Sequence, residues 1–197
     1  MRLLKSNFYL TGGTALAEFY LQHRCSEDFD FFTATPNVIG RTVARIQQAL
    51  DKNQVSYKVS RSLETFAEIF AYFGEEVVKV DLALDTPYRL KPTIFNEACK
   101  LYIENPLDLA CNKLSALFDR AEPKDFVDVY FIDKEMMPLE EIIPFAKQKH
   151  IGLEEYWLAR AMFQVKHVAF LPKMIKSLGL EELKAFFLKR AEHLLQP

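Results

Sequence analysis

The segment Phe8-Tyr-Leu-Thr-Gly-Gly-Thr-Ala-Leu-Ala17, followed by Ser26-Glu-Asp-Phe-Asp-Phe-Phe32, constrains this chain more than any other. A short apolar run ends at Gly12-Gly13-Thr14, and Leu16, Phe19 and Tyr20 then recur at helical spacing. This predicts a strand over 8–10, a glycine turn, and a helix from 14 to about 22 whose apolar face packs on a sheet. Glycines just ahead of a helix let backbone N–H groups approach a ligand, and a helix N-terminus favours an anion. Asp28 and Asp30 alternate with Phe29 and Phe31, which predicts a strand with one acidic and one apolar face. The two carboxylates then project from one face, ~6.6–7 Å apart along the strand. They repel, raising one pKa, unless a cation keeps both ionised. An anion cradle beside a cation-holding carboxylate pair is the equipment of phosphoryl or nucleotidyl transfer.

A third carboxylate strengthens this reading. Residues 56–63, 66–73 and 76–84 read as three β-runs, with Gly74-Glu75 as a hairpin turn between the last two. In the last run Val78, Val80, Leu82 and Leu84 alternate with Lys79, Asp81 and Ala83, so Asp81 faces away from Val80 and Leu82. An Asp inside an apolar strand is disfavoured by propensity and costly to bury unpaired. Asp28, Asp30 and Asp81 are therefore the candidate metal ligands. Mg²⁺ takes oxygen ligands and borrows some from phosphates, so three carboxylates and a nucleoside triphosphate can complete two octahedral sites.

Pro36 ends the acidic strand, and 38–52 form an amphipathic helix with Val43, Ile46, Ala49 and Leu50 on one side. The order strand, helix, strand, helix, then antiparallel strands predicts a small α+β sheet domain rather than a doubly wound one. Beyond about residue 90 every segment reads helical. Asn105-Pro106 opens a helix to about 120, Glu122-Pro123 interrupts it, and helices over 124–134, 138–149, 153–165 and 180–195 follow, with breaks at Gly152 and Gly179. A sheet lobe over 1–95 and a helical lobe over 96–197 are expected.

A net charge of −2 argues against a strongly basic nucleic-acid binder. Lys147, Lys149, Arg160, Lys166, Lys173 and Lys176 nonetheless form a candidate local basic face. The 17 phenylalanines, like Trp157 beside Tyr156, read as aromatic core rather than base-stacking groups. His23, His150, His167 and His193 have no ligand spacing and read as core or surface residues. Cys25, Cys99 and Cys111 lack metal-finger or CxxC spacing, which fits reduced thiols in a cytoplasm. No apolar run approaches the ~20 residues that span a bilayer. Met1-Arg-Leu-Leu-Lys-Ser precedes an apolar stretch broken by Asn7, Gly12 and Gly13, so no signal peptide is expected.

Gly12-Gly13-Thr14, then Asp28-Phe29-Asp30, then Asp81 resembles the signature of the nucleotidyltransferase (polymerase-beta-like) superfamily. More narrowly, Leu10-Thr-Gly-Gly-Thr-Ala-Leu-Ala17, His23-Arg24-Cys25-Ser26-Glu27-Asp28-Phe29-Asp30-Phe31-Phe32 and Lys79-Val-Asp-Leu82 are similar to the AbiEii/AbiGii-type abortive-infection toxin family. Lys113-Leu-Ser-Ala-Leu117, Arg120 and Lys124-Asp125-Phe126-Val127-Asp128-Val129-Tyr130 resemble that family's later Lys…Arg…Lys/Arg-Asp block. The motifs span 10–130, and the remainder matches only as generic helices.

The resemblance implies an α+β, nucleotidyltransferase-like fold with a mixed sheet flanked by helices, whose C-terminal helical lobe completes the active-site cleft. It also implies Mg²⁺-dependent transfer of a nucleoside monophosphate from an NTP to tRNA, a protein or a small-molecule hydroxyl, with a toxin–antitoxin role and a cognate antitoxin protein as partner. Carried over position by position, Gly12, Gly13, Thr14 and Ser26 bind the nucleotide, while Asp28 and Asp30 hold two metal ions. Asp81 is the third carboxylate and helps activate the acceptor hydroxyl. Lys113 neutralises phosphate charge, and Asp125, preferred to Asp128, completes the catalytic set. Relatives often carry helices ahead of the first strand, which here begins at Phe8, so part of a substrate-binding surface is expected to be absent. The alternative is a catalytically idle member that binds a nucleotide or partner.

Overall fold

The computed structural model describes residues 8–196, and the N-terminal stretch weighed above as a leader lies outside them. The chain divides into two units. The first unit comprises the chain up to Ala15, Ser26–Tyr88 and Pro92–Asn105. Its seven strands are β1 Tyr9–Thr11, β2 Asp28–Thr33, β3 Ser56–Ser62, β4 Phe66–Phe73, β5 Glu76–Leu84, β6 Ile94–Asn96 and β7 Leu101–Ile103. They form one mixed sheet in the order β3-β4-β5-β2-β1-β7-β6. β2 lies between β1, antiparallel to it, and β5, parallel to it, so the acidic strand sits in the middle of the sheet.

Helix α2, Ile39–Lys52, buries Ile39, Thr42 and Val43 and packs across β3, β4 and β5. Ala67, Ile69, Ala71 and Leu82 are buried at alternate positions of β4 and β5. That leaves Glu68, Lys79 and Asp81 to the opposite face, as the period of two requires. Gly74, at φ +65, makes the tight turn between β4 and β5.

Strands β6 and β7 correct the expectation that everything beyond residue 90 is helical. Each has only three residues, too few for periodicity to register. Tertiary pairing decides them: β7 adds in parallel to β1, burying Leu101 and Ile103. Asn96 shapes the intervening turn by accepting from the Ala98 and Cys99 N–H groups, at 3.0 and 3.1 Å. The sheet unit thus runs to Asn105 rather than to 95.

The second unit contains Leu16–Cys25, Arg89–Lys91 and the chain from Pro106. Its helices are α3 Pro106–Arg120, α4 Pro123–Glu135, α5 Leu139–Lys149, α6 Glu155–Phe163 with a 3₁₀ turn over Gln164–His167, and α7 Leu180–Leu194. Phe126 and Phe187 meet edge to face at 5.0 Å, and Leu109, Leu114, Leu117 and Ile132 of the same unit are buried. Trp157 is 58% exposed, which corrects its reading as core. Among the described residues the three cysteines are free, and no helix is long and apolar enough to cross a membrane.

Candidate active site

The first candidate cluster is a polar row across the sheet. Register places Asp30 opposite Asp81, Asp81 opposite Glu68 and Asp30 opposite Thr11. Register partners point to the same face, so Thr11, Asp30, Asp81 and Glu68 stand side by side at steps of ~4.8 Å. Beyond Thr11 the row reaches Glu104, 1% exposed, whose N–H donates to the Leu10 carbonyl at 2.9 Å and whose carboxylate accepts the Thr11 hydroxyl. Asp28 lies two residues before Asp30 on the same face, opposite Lys79.

Adjacent carboxylates on one face repel, so each needs a partner. Lys79 Nζ is 2.7 Å from Asp81 Oδ2 and 3.5 Å from Glu68 Oε2. Its pKa is raised, first by the hydrogen bond to Asp81, against partial burial, and further by the charges of Asp81, Asp28 and Glu68. Asp81 Oδ1, in contrast, is buried with no hydrogen-bond partner among the described residues. A buried carboxylate oxygen without a partner, on a sheet face shared with other acids, is costly unless a cation meets it. That oxygen, with Asp30 opposite it in register, would meet a divalent ion that takes its remaining ligands from a bound phosphate. Among the described residues no three His, Cys, Asp or Glu side chains converge on a common metal position. Asp28 is exposed and opposite Lys79 in register, and Lys79 holds the other oxygen of Asp81.

Gly12 turns the chain from β1 straight into α1, Gly12–Leu16, which continues as a π-helical turn over Ala17–Leu21. Its φ is +72, and a Cβ there would lie 2.1 Å from Asp30 Oδ2. The glycine is therefore needed both for the left-handed backbone and to let the Asp30 carboxylate pack against it. Gly12→Ala is expected to cost roughly 1–2 kcal/mol from the backbone alone. It should also rotate Asp30 out of the row, so turnover should fall further than the unfolding midpoint. Kinetics and thermal melts of the same preparation check this.

Thr14, 2% exposed, donates its hydroxyl to the Asp28 carbonyl and lies 3.0 Å from Ser26 Oγ. A hydroxyl has one proton, so Thr14 is committed to anchoring the start of β2. Gly13 and Ser26 are half-buried.

The second cluster lies within the helical unit and centres on Asp128, which is fully buried. Its Oδ1 accepts from His23 Nε2 at 2.7 Å and Arg24 Nε at 2.6 Å. Its Oδ2 accepts from Arg24 Nη2 at 2.9 Å and meets Lys113 Nζ at 2.8 Å. Burial alone would raise the Asp128 pKa, but Lys113, His23 and Arg24 outweigh it and hold the carboxyl well below the usual range. Lys113 is thus paired with Asp128 and not with Asp125. Asp125 occupies the third position of α4 and forms a capping box with Glu122. It also accepts two bonds from Arg120, at 2.8 and 2.7 Å.

Period-two reading places Lys79 on the acidic face without revealing its pairing, and no local signal marks Glu104 or the joining of His23 to Asp128, which lies 105 residues away. The candidate basic face is partly neutralised: Lys147 pairs with Glu154 and Glu155, Lys149 with Asp108, and Lys176 with Glu135.

A mixed sheet presenting aspartates on its central strands, entered through a glycine turn and a helix, is a nucleotidyltransferase fold. Among solved structures it is similar to JHP933 from Helicobacter pylori, with a TM-score of 0.58 and 20% identity over 98% of this chain and 85% of that one. It is also similar to the Megavirus polyadenylate synthase, with a TM-score of 0.50 and 16% identity over 70% of this chain but only 30% of that one. An uncharacterized protein of Aquifex aeolicus is 29% identical over 159 residues, 76% of this chain and 69% of its own length. The model of the AbiEii nucleotidyl transferase toxin family, a type IV toxin–antitoxin system, matches residues 2–194, and the chain belongs to that family. It is a nucleotidyltransferase with a toxin–antitoxin role.

Proposed function

We propose that this enzyme transfers a nucleoside monophosphate from an NTP to an acceptor hydroxyl on tRNA, a protein or a small molecule, using Mg²⁺. The observation that carries the reading is the bare Asp81 Oδ1 beside Asp30, which Gly12 lets into the row. Asp28, Asp30 and Asp81 would hold the metal. Bound divalent ions neutralise phosphate charge and favour the nucleophile and leaving group of an in-line displacement.

The chain's own residues divide the remaining work. Gly13 N–H and the Ser26 hydroxyl bind phosphate oxygens, and Thr14 fixes β2 so that Asp28 and Asp30 face one way. Asp81 takes the proton of the acceptor hydroxyl. Within the helical unit Lys113 is oriented by Asp128, and Asp125 caps α4 and holds Arg120. A cognate antitoxin restrains the enzyme in the cytoplasm.

The test is incubation of the purified protein with each NTP labelled at the α-phosphate, together with total cellular RNA and protein. Transfer of label from at least one NTP, dependent on Mg²⁺ and accompanied by pyrophosphate release, is expected. Nucleotide binding without transfer to any acceptor would instead indicate an idle member and overturn the proposal.

A further inference from the structure

The carboxylate row contains a cation of its own. Lys79 lies two residues before Asp81 on β5 and so shares its face. Its ammonium touches carboxylates on β5 and β4, at 2.7 and 3.5 Å, and register sets it opposite Asp28 on β2. The Lys79 and Asp81 side chains are 27% and 13% exposed, so the pair is screened less than an ordinary surface bridge. The two oxygens of Asp81 therefore differ: Oδ2 is held by the ammonium, while Oδ1 is bare. An ammonium and a divalent ion placed in one cluster of acids compete for the same charge.

We propose that Lys79 is a resident counter-ion of the row, which stabilises the metal-free protein and gives up Asp81 Oδ2 when a divalent cation enters. The proposal rests on the divalent-cation reading above. Lys79 thereby sets metal affinity as a positioning residue. A point charge on a flexible four-carbon stem suits this task, because it can withdraw without breaking a bidentate fork of the kind arginine makes.

Mn²⁺ binding to the full chain, followed by the electron paramagnetic resonance of the free ion without nucleotide, tests this. Lys79→Met is expected to bind Mn²⁺ roughly tenfold tighter than wild type, because a neighbouring like charge is worth about one pKa unit or more. It should also melt at a lower temperature without metal, with the difference closing as Mn²⁺ is added. Lys79→Arg, which keeps the charge, should stay near wild type in affinity. In the wild type, Mn²⁺ should raise the rate of reductive methylation at Lys79, a readout that does not depend on any variant folding. Mn²⁺ binding that is lost in Asp30→Asn but unchanged or weaker in Lys79→Met overturns this inference and leaves the metal reading in place. An unchanged methylation rate in Mn²⁺-bound wild type does the same. Failure of the wild type and of every variant to bind Mn²⁺ overturns both.

Discussion

Asp30→Asn is expected to lower nucleotidyl transfer by more than ~100-fold, since even the outer partners of metal ligands typically cost 10- to 100-fold. The substitution keeps the volume that packs against Gly12 and removes the charge that faces Asp81. Without metal the fold should not suffer. Relief of repulsion between neighbouring carboxylates should leave the melting temperature unchanged or slightly raised. Steady-state kinetics and a metal-free melt on one preparation check both halves. Undiminished turnover would exclude Asp30 from the chemistry, whatever the sheet geometry suggests.

Asp128→Asn should have the opposite profile, with a large loss of stability. Removing the charge leaves Lys113, 8% exposed at its side chain, and Arg24, 6% exposed, without a buried anion. Breaking one partner out of a buried ion cluster costs about 3–5 kcal/mol. For a chain of this size that is a fall in melting temperature on the order of 10 °C. The pH dependence has a definite sign. The folded-state pKa of Asp128 is depressed, so its contribution is present above the unfolded value of ~3.9 and is lost as pH falls below it toward the folded value. Wild-type stability should therefore decline as pH drops through this acidic range, and the Asp128→Asn protein should show a shallower decline. Denaturant melts from about pH 6 down to pH 2.5 measure this. Equal slopes for the two proteins would remove the linkage assigned to Asp128.

Much of the sheet unit was legible in the chain. Alternation over Asp28–Thr33 and Glu76–Leu84 assigns each carboxylate to a face, because side chains on a strand reverse at every residue. Gly12-Gly13 ahead of an apolar helical pattern marks the turn, and the helices from Pro106 onward carry proline starts and glycine breaks that act locally. The family motifs are readable for the same reason: each is a short string whose chemistry depends on its own residues.

What the sequence left open all involves distance along the chain. β6 and β7 exist because an edge of β1 was available to pair, not because three residues prefer to be extended. The choice between Asp125 and Asp128 is invisible locally, since both lie near the start of α4. Tertiary structure separates them by bringing Lys113, Arg24 and His23 to Asp128 and leaving Asp125 to the helix cap and Arg120. Lys79 likewise reads as one more strand lysine until Glu68 of β4 arrives beside Asp81. Local pattern, then, determined the longer elements, their faces and the family to which they belong. Only the packed fold decided which charges meet, because Coulomb interactions depend on separation in space and on exclusion of water, neither of which a linear chain carries.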